Sequence, residues 1–103
     1  MIADFLGKGI ASARTAGEIS SLMGIDRRGF SKAVQVARLA GVPICATTSF
    51  PFGYFLAEDA GEMKRFCGSL SRRLHEIEKT RQACLAMIDQ LPPEKEEGKE
   101  GEA

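Results

Sequence analysis

The pattern of apolar and polar positions in the first part of the chain predicts two short helices joined by a tight turn. Thr15 and Glu18 have the T-x-x-E spacing of a capping box, so we expect a helix from about residue 16 to residue 23. Gly24 suits the left-handed conformation that ends a helix, and Asp26 suits the cap of a second helix. These features predict a helix-turn-helix.

The second helix, predicted over residues 26–40, has one apolar face and one cationic face. Its apolar residues recur at steps of three, one and three, which places them on the buried side of a 3.6-residue period: Phe30, Ala33, Val34 and Ala37. The residues predicted to point outward are Arg27, Arg28, Ser31, Lys32, Gln35 and Arg38. No carboxylate follows Asp26 on the outward face, which favours a polyanionic partner over an ordinary solvated surface.

A β-hairpin is predicted after this helix. The run Val42–Ala46 is apolar and partly β-branched, Tyr54–Leu56 is a second apolar run, and Thr47–Gly53 between them contains the Pro and Gly of a turn. Near the N-terminus, residues 2–6 have apolar positions at helical spacing and predict a short first helix. The expected fold is therefore mainly α with a small β-hairpin, a winged helix-turn-helix over residues 1–57 with a three-helix core and a wing.

The pattern changes to a heptad repeat between about residues 59 and 91. A long C-terminal helix over residues 58–91 is predicted, with Arg81 at one otherwise apolar position. A helix of this length is longer than the small domain can cover with its own residues. A second copy of the same helix is expected to cover the rest, which gives a homodimer through this helix. An alternative is a bend at Gly68-Ser69 that folds the helix back onto a monomeric core. The expected dimerisation residues are Met63, Cys67, Leu70, Leu74, Ile77, Cys84, Ile88 and Leu91.

Composition and charge narrow the function classes. The 103 residues have zero formal net charge, but residues 1–91 carry 12 Lys and Arg against 9 Asp and Glu, and residues 92–103 carry 2 against 5. The body is thus basic, and the tail over residues 92–103 is expected to be acidic and disordered. With no apolar run of about 18 residues and no signal pattern, a cytoplasmic protein with no membrane partner is expected.

Few residues are of a type that could act in catalysis or bind a metal. Cys45, Cys67 and Cys84 form no C-x-x-C pair, so we expect small core cysteines in a reducing compartment rather than disulfides or a zinc site. His75 is the only histidine and is expected at the surface. No nucleophile and base are suitably spaced, so the sequence predicts a protein that is not an enzyme and has no cofactor or metal.

Residues 15–57 resemble the N-terminal DNA-binding domain of the biotin operon repressor type of winged helix. The matching residues are Gly24, Arg27, Lys32, Gln35, Arg38, Gly41, Val42, Gly53, Tyr54 and Leu56. The resemblance implies that the helix over residues 26–40 enters the major groove and that the hairpin touches phosphate. The hairpin tip departs from that pattern because it has no Arg or Lys, and Phe50 and Phe52 there are expected either to contact DNA or to fold onto the core. These 103 residues contain no counterpart of that family's ligase domain, so no biotin chemistry is expected.

The favoured function is a small dimeric transcription regulator that binds double-stranded DNA sequence-specifically. The expected contacts come from Arg27, Arg28, Ser31, Lys32, Gln35 and Arg38 on the helix, and from Thr47, Thr48 and Ser49 on the hairpin. One alternative is a protein-interaction module that uses the winged helix as a scaffold. Another is an excision or replication accessory protein of the kind that phages and mobile elements carry.

Overall fold

The computed structural model describes residues 1–94, which contain three α-helices and a two-stranded antiparallel sheet. In chain order the elements are a 3-10 helix at Ile2–Phe5, a 3-10 helix at Ile10–Ser12, α1 at Ala16–Met23, α2 at Arg27–Leu39, β1 at Ile44–Thr47, β2 at Gly53–Leu56 and α3 at Ala60–Ile88. The chain divides into two compact units, Met1–Leu70 and the residues from Ser71 onward. The predicted class, mainly α with a hairpin and a long C-terminal helix, is confirmed.

The turn between α1 and α2 has the predicted geometry. The Glu18 amide donates to Thr15 Oγ1 at 3.1 Å, and Glu18 Oε1 accepts from the Thr15 amide at 2.9 Å, which completes the capping box. Gly24 ends α1 in the left-handed region with φ 71°. Asp26 Oδ1 then accepts from the Gly29 amide at 2.7 Å and caps α2. The predicted order of helix, glycine turn and capped helix is confirmed.

The core of the first unit forms where α1, α2 and the hairpin meet. Ile19, Phe30 and Ile44 are almost completely buried, and Val34 joins the same cluster. The rings of Phe30 and Tyr54 meet edge to face with centroids 4.9 Å apart, which packs α2 against β2. The predicted first helix is present as the short 3-10 helix, whose Ile2 and the following Leu6 close the same cluster.

The hairpin has the predicted position and a five-residue loop over residues 48–52. Its register pairs Ile44 with Leu56 and Thr47 with Gly53. The segment before α1 lies along β2 and forms isolated bridges, because Arg14 and Tyr54 exchange backbone hydrogen bonds of 3.1 and 2.7 Å. This pairing satisfies backbone groups of β2 that would otherwise lie at a free sheet edge.

The long helix α3 is continuous through Gly68, so the alternative bend at Gly68-Ser69 is wrong. Near its start, the buried carboxylate of Glu62 accepts from the amides of Ile10 at 3.0 Å and Glu58 at 2.7 Å. Phe66 forms a second core cluster with Cys45 and Phe55 from the hairpin. These contacts join the beginning of α3 to the hairpin within the first unit.

The residues expected to mediate dimerisation do not all lie on a free helix face. Met63 is half-buried against the second core cluster, and Leu91 lies beyond the end of α3 at Ile88. The prediction of core cysteines is correct for Cys45 and wrong for Cys67 and Cys84, which are exposed because they lie on the outward stripe of α3. The remaining members of the predicted set are also exposed, namely Leu70, Leu74, Ile77 and Ile88.

Every residue from Ser71 to Glu94 is solvent-exposed, including His75 as predicted. Most of the predicted acidic tail, residues 95–103, lies outside the described residues. Among residues 1–94 no helix combines the length and the hydropathy needed to cross a membrane.

Candidate nucleic-acid interface

The exposed side of α2 carries five of the predicted site residues. Arg28, Lys32 and Gln35 follow one another at steps of four and three, so they form one stripe along the helix. Arg27 and Ser31 lie beside this stripe, and all five residues are exposed. These five residues, Arg27, Arg28, Ser31, Lys32 and Gln35, form the α2 polar face.

The cations of the α2 polar face form no ion pair with a carboxylate in the described part of the chain. In the part of the chain that the structure describes, ion pairs within 4.0 Å join Met1 to Asp4 and connect residues of α3 with one another. None of them involves Arg27, Arg28 or Lys32. The only acidic residue adjoining α2 is its cap, Asp26, whose Oδ1 is occupied by the Gly29 amide. The cationic groups of this face are thus free to meet an external anion.

The position of two of these cations costs helix stability. Arg27 and Arg28 lie in the first turn of α2, where the amide groups present the positive end of the helix dipole. Acidic residues favour such a turn, and α2 has none there. A sequence that breaks a local rule at an exposed position is typical of a functional surface, because a bound anion would relieve the repulsion.

Arg38 does not belong to the α2 polar face, so the prediction that it points outward is wrong. Its Nε donates to the Ile44 carbonyl at 2.8 Å, and its guanidinium lies 4.7 Å from the centroid of the Phe66 ring. The reason is its register, since Arg38 comes four residues after Val34 and eight after Phe30 and continues the edge of the buried stripe. Arg38 therefore joins α2 to the hairpin and α3.

Two exposed apolar residues on α2 were not among the predicted site residues. Val36 is 58% exposed and Leu39 is 79% exposed. Leu39 lies four residues after Gln35, so it extends the stripe toward the C-terminal end of the helix. Helical spacing alone could have identified Val36 and Leu39 as exposed, because neither lies on the buried face of α2.

The hairpin tip presents hydroxyl groups and two aromatic rings. Thr47 Oγ1 accepts from the Ser49 amide at 3.0 Å, which shapes the turn, while Thr48 and Ser49 are exposed. Phe50 is 84% exposed and Phe52 is 54% exposed, and their rings meet edge to face at 6.0 Å. The alternative that these rings fold onto the core is therefore wrong.

Both strands of the hairpin are attached to α2. The Arg38 hydrogen bond reaches the Ile44 carbonyl on β1, and the Phe30 ring contacts Tyr54 on β2. Both contacts are made by residues of the strands and not by the loop at residues 48–52. The loop, in which Thr48, Ser49, Phe50 and Phe52 are exposed, is thus a second exposed surface.

Potential metal ligands in the described chain lie apart from one another, and Cys45 is its buried thiol. Among residues 1–94, no group of three or more His, Cys, Asp or Glu residues is placed to hold a metal ion. The buried Cys45 thiol has a raised pKa, first because of burial and then because of the nearby Glu62 charge, while Arg38 opposes the shift. A thiol with a raised pKa is a poor nucleophile at neutral pH.

Comparison with protein-family models, with curated proteins and with solved structures finds no match for this chain. The resemblance to the biotin operon repressor type of winged helix is therefore carried by the matching residues alone. Of these, the structure places Arg27, Lys32 and Gln35 on the α2 polar face and Arg38 in a packing role.

Proposed function

We propose that this protein binds double-stranded DNA, with the α2 polar face in the major groove. The observation that carries the proposal is the set of three exposed cations on one helix, none of them in an ion pair within the described residues and two of them at the positive end of the helix dipole. DNA phosphates supply the anions that this arrangement lacks. The helix-turn-helix and hairpin then act as a winged helix, and the biological role is regulation of transcription.

The side chains of the α2 polar face have distinct roles in this proposal. Arg28 has the planar donor pair that recognises guanine, and Gln35 has the donor and acceptor that match adenine. Arg27 and Lys32 neutralise phosphate, and Ser31 donates to whichever acceptor is near. The hydroxyls of Thr48 and Ser49 on the hairpin loop donate to the DNA backbone, since the loop has no cation of its own.

Fluorescence anisotropy with mixed-sequence duplex DNA across a salt series tests the proposal. Each phosphate that is neutralised contributes about 0.9 to the slope of log K against log salt concentration. The triple variant Arg27→Ala, Arg28→Ala, Lys32→Ala should therefore lower that slope by roughly 2 to 3 and weaken binding at low salt. Wild-type binding with no salt dependence, or an unchanged slope in the variant, would contradict the proposal.

A charge-matched control separates the α2 polar face from net charge. Arg65, Arg72 and Lys79 lie seven residues apart on α3 and are exposed, so changing all three to Ala removes the same charge elsewhere. The proposal expects a much smaller loss of slope in this control. An equal loss in both triple variants would show that the protein attracts DNA only through its overall charge.

Sequence readout is tested with the single variant Gln35→Ala. After selection of a preferred duplex, this change should relax preference at one position by about 1–3 kcal/mol, because a bidentate base contact is lost. Lys32→Ala should weaken binding to all duplexes by a similar factor. If Gln35→Ala leaves the preference unchanged, the α2 polar face positions the protein without reading bases.

A protein-interaction module is the second candidate, and the exposure of Val36 and Leu39 favours it. These apolar side chains lie near the C-terminal end of α2 and suit a protein contact. If the protein is an interaction module, the triple cation variant would leave the salt dependence of DNA binding unchanged. The double variant Val36→Ser, Leu39→Ser would then abolish capture of a protein partner.

A further inference from the structure

The part of α3 in the second unit carries an exposed apolar stripe. Leu74, Ile77, Arg81, Cys84 and Ile88 follow one another at steps of three, four, three and four. Leu74 is 69% exposed, Ile77 64% and Ile88 61%. In a heptad, these positions alternate between a and d, so Leu74, Arg81 and Ile88 are a residues and the other two are d residues.

We propose that residues Ser71–Ile88 pair with the same segment of a second copy as a parallel, in-register, two-stranded coiled coil. In this arrangement each a or d side chain meets its own counterpart, so the stripe is self-complementary. The flanking residues Leu85 and Met87 are 44% and 52% exposed and widen the apolar seam on both sides. The inference does not depend on DNA binding, since it uses no residue of α2.

The charges beside the stripe favour the parallel orientation. Arg73 occupies a g position and Glu78 an e position five residues later, and a parallel coiled coil places g of one helix against that e of the other. Residues five apart on one helix are not neighbours, so this attraction exists only between two copies. Glu78 already holds Arg81 Nη1 at 3.2 Å and Gln82 Nε2 at 2.7 Å, both through Oε2. Oε1 is therefore available to Arg73 of the second copy.

Antiparallel pairing of the same segment lacks this complementarity. The register that sets Leu74 against Cys84 places Glu78 opposite Glu78 of the second copy, which is repulsive. A shift of one heptad sets Leu74 against Ile77 and leaves Arg73 and Glu78 opposite Thr80 and Ser71, with no charge pair. Only the parallel register therefore gains from both charges.

Arg81 favours two strands over three or four. A charged a residue reaches solvent at the open side of a two-stranded coiled coil, whereas a larger bundle encloses it more completely. In each copy the guanidinium of Arg81 is paired with Glu78 of the same helix, which counters its positive charge. Two Arg81 side chains can therefore share one layer of the coiled coil. This layer also sets the register, because any shift would place Arg81 against an apolar residue.

The first test is sedimentation velocity of the full chain at tens of micromolar without DNA. We expect a dimer, and Glu78→Arg should weaken it about tenfold because two attractive pairs become repulsive. The double variant Arg73→Glu, Glu78→Arg should regain part of the lost affinity, since the pair between copies is then reversed while Arg81 is left without Glu78. Arg72→Glu, on the outer face, is the matched control and should leave the dimer intact. A monomer, a trimer, or a double variant as weak as the single variant would overturn the proposal.

Cys84 reports the orientation directly. In the parallel register two copies of Cys84 share one layer within disulfide reach, whereas in the antiparallel registers their Cα atoms are too far apart. Mild oxidation of Cys67→Ser protein should therefore give a covalent dimer, and the additional change Cys84→Ser should abolish it. A non-covalent dimer in which Cys84 does not cross-link would overturn the parallel register. If the protein proves to be a monomer, the salt slope of the α2 triple variant still tests DNA binding by itself, because none of its three residues lies on α3.

Discussion

Changing Arg38 to Ala should destabilise the fold of the first unit without removing a DNA contact. The Arg38 guanidinium donates through Nε to the Ile44 carbonyl at 2.8 Å and covers the Phe66 ring at 4.7 Å. A hydrogen bond from a charged donor contributes about 1.5–3 kcal/mol, and a cation over an aromatic ring about 0.5–1 kcal/mol. Because Arg38 is only partly buried, we take the lower part of this range and expect a loss of roughly 2–3 kcal/mol.

Urea unfolding followed by circular dichroism measures this loss as a change in the free energy of unfolding. Arg38→Lys keeps a cation near the Phe66 ring but not the planar Nε donor, so it should recover less than half of the loss. Lys32→Ala on the exposed side of α2 is the surface control and should change stability by no more than about 0.5 kcal/mol. Phe66→Leu combined with Arg38→Ala should cost less than the sum of the single changes, because the two residues are in contact.

The salt dependence of DNA binding tests whether Arg38 also contacts DNA. Under conditions where the variant remains folded, Arg38→Ala should keep the wild-type salt slope, whereas Lys32→Ala should lower it by about 1. A stability change below about 0.5 kcal/mol, together with a slope that falls as in Lys32→Ala, would refute the reasoning. That result would return Arg38 to the DNA-facing role that the sequence predicted.

Two further predictions concern the hairpin and the cysteines. Gly53→Ala should destabilise the protein by about 3 kcal/mol or more in urea unfolding, because Gly53 has φ 122° and a Cβ there would collide with the Arg14 carbonyl; a change below 1 kcal/mol would show that the bridge to Arg14 is dispensable. For iodoacetamide at neutral pH, Cys45 should react far more slowly than the two cysteines of α3, because its raised pKa lowers the thiolate fraction and its side chain is buried. Mass spectrometry counts the labelled sites, and three equally fast thiols would contradict this expectation.

Local signals predicted the elements well. The capping box at Thr15, the left-handed glycine at Gly24 and the Asp26 cap act within a few residues, so the sequence alone located both ends of the turn. The hairpin was found in the same way from two apolar runs around a Pro and Gly turn. The helix α3 followed from its heptad period, and the structure ends it at Ile88.

Contacts between residues that are far apart in sequence could not be predicted from the local sequence pattern. The segment at residues 9–14 has no periodicity, yet it pairs with β2 through the backbone of Tyr54. Arg38 was predicted to point outward from its step of three after Gln35, whereas its partners, Ile44 on β1 and Phe66 on α3, lie outside α2 and its helical period. Five of the six predicted α2 site residues are exposed, so helical spacing identified most of the candidate surface and missed the residue at its boundary.

Binding and folding use different residues of α2, which leads to a prediction of opposite effects. Arg27 and Arg28 lie at the positive end of the helix dipole, and removing such cations stabilises a helix by about 0.3–1 kcal/mol each at low salt. Arg27→Ala with Arg28→Ala should therefore raise the free energy of unfolding by about 0.6–2 kcal/mol while weakening DNA binding. The gain should shrink in salt, because it comes from screened charges. Urea unfolding at low and moderate salt measures it. If the double variant loses stability, these cations support the fold, and their weakened binding could no longer be assigned to lost phosphate contacts.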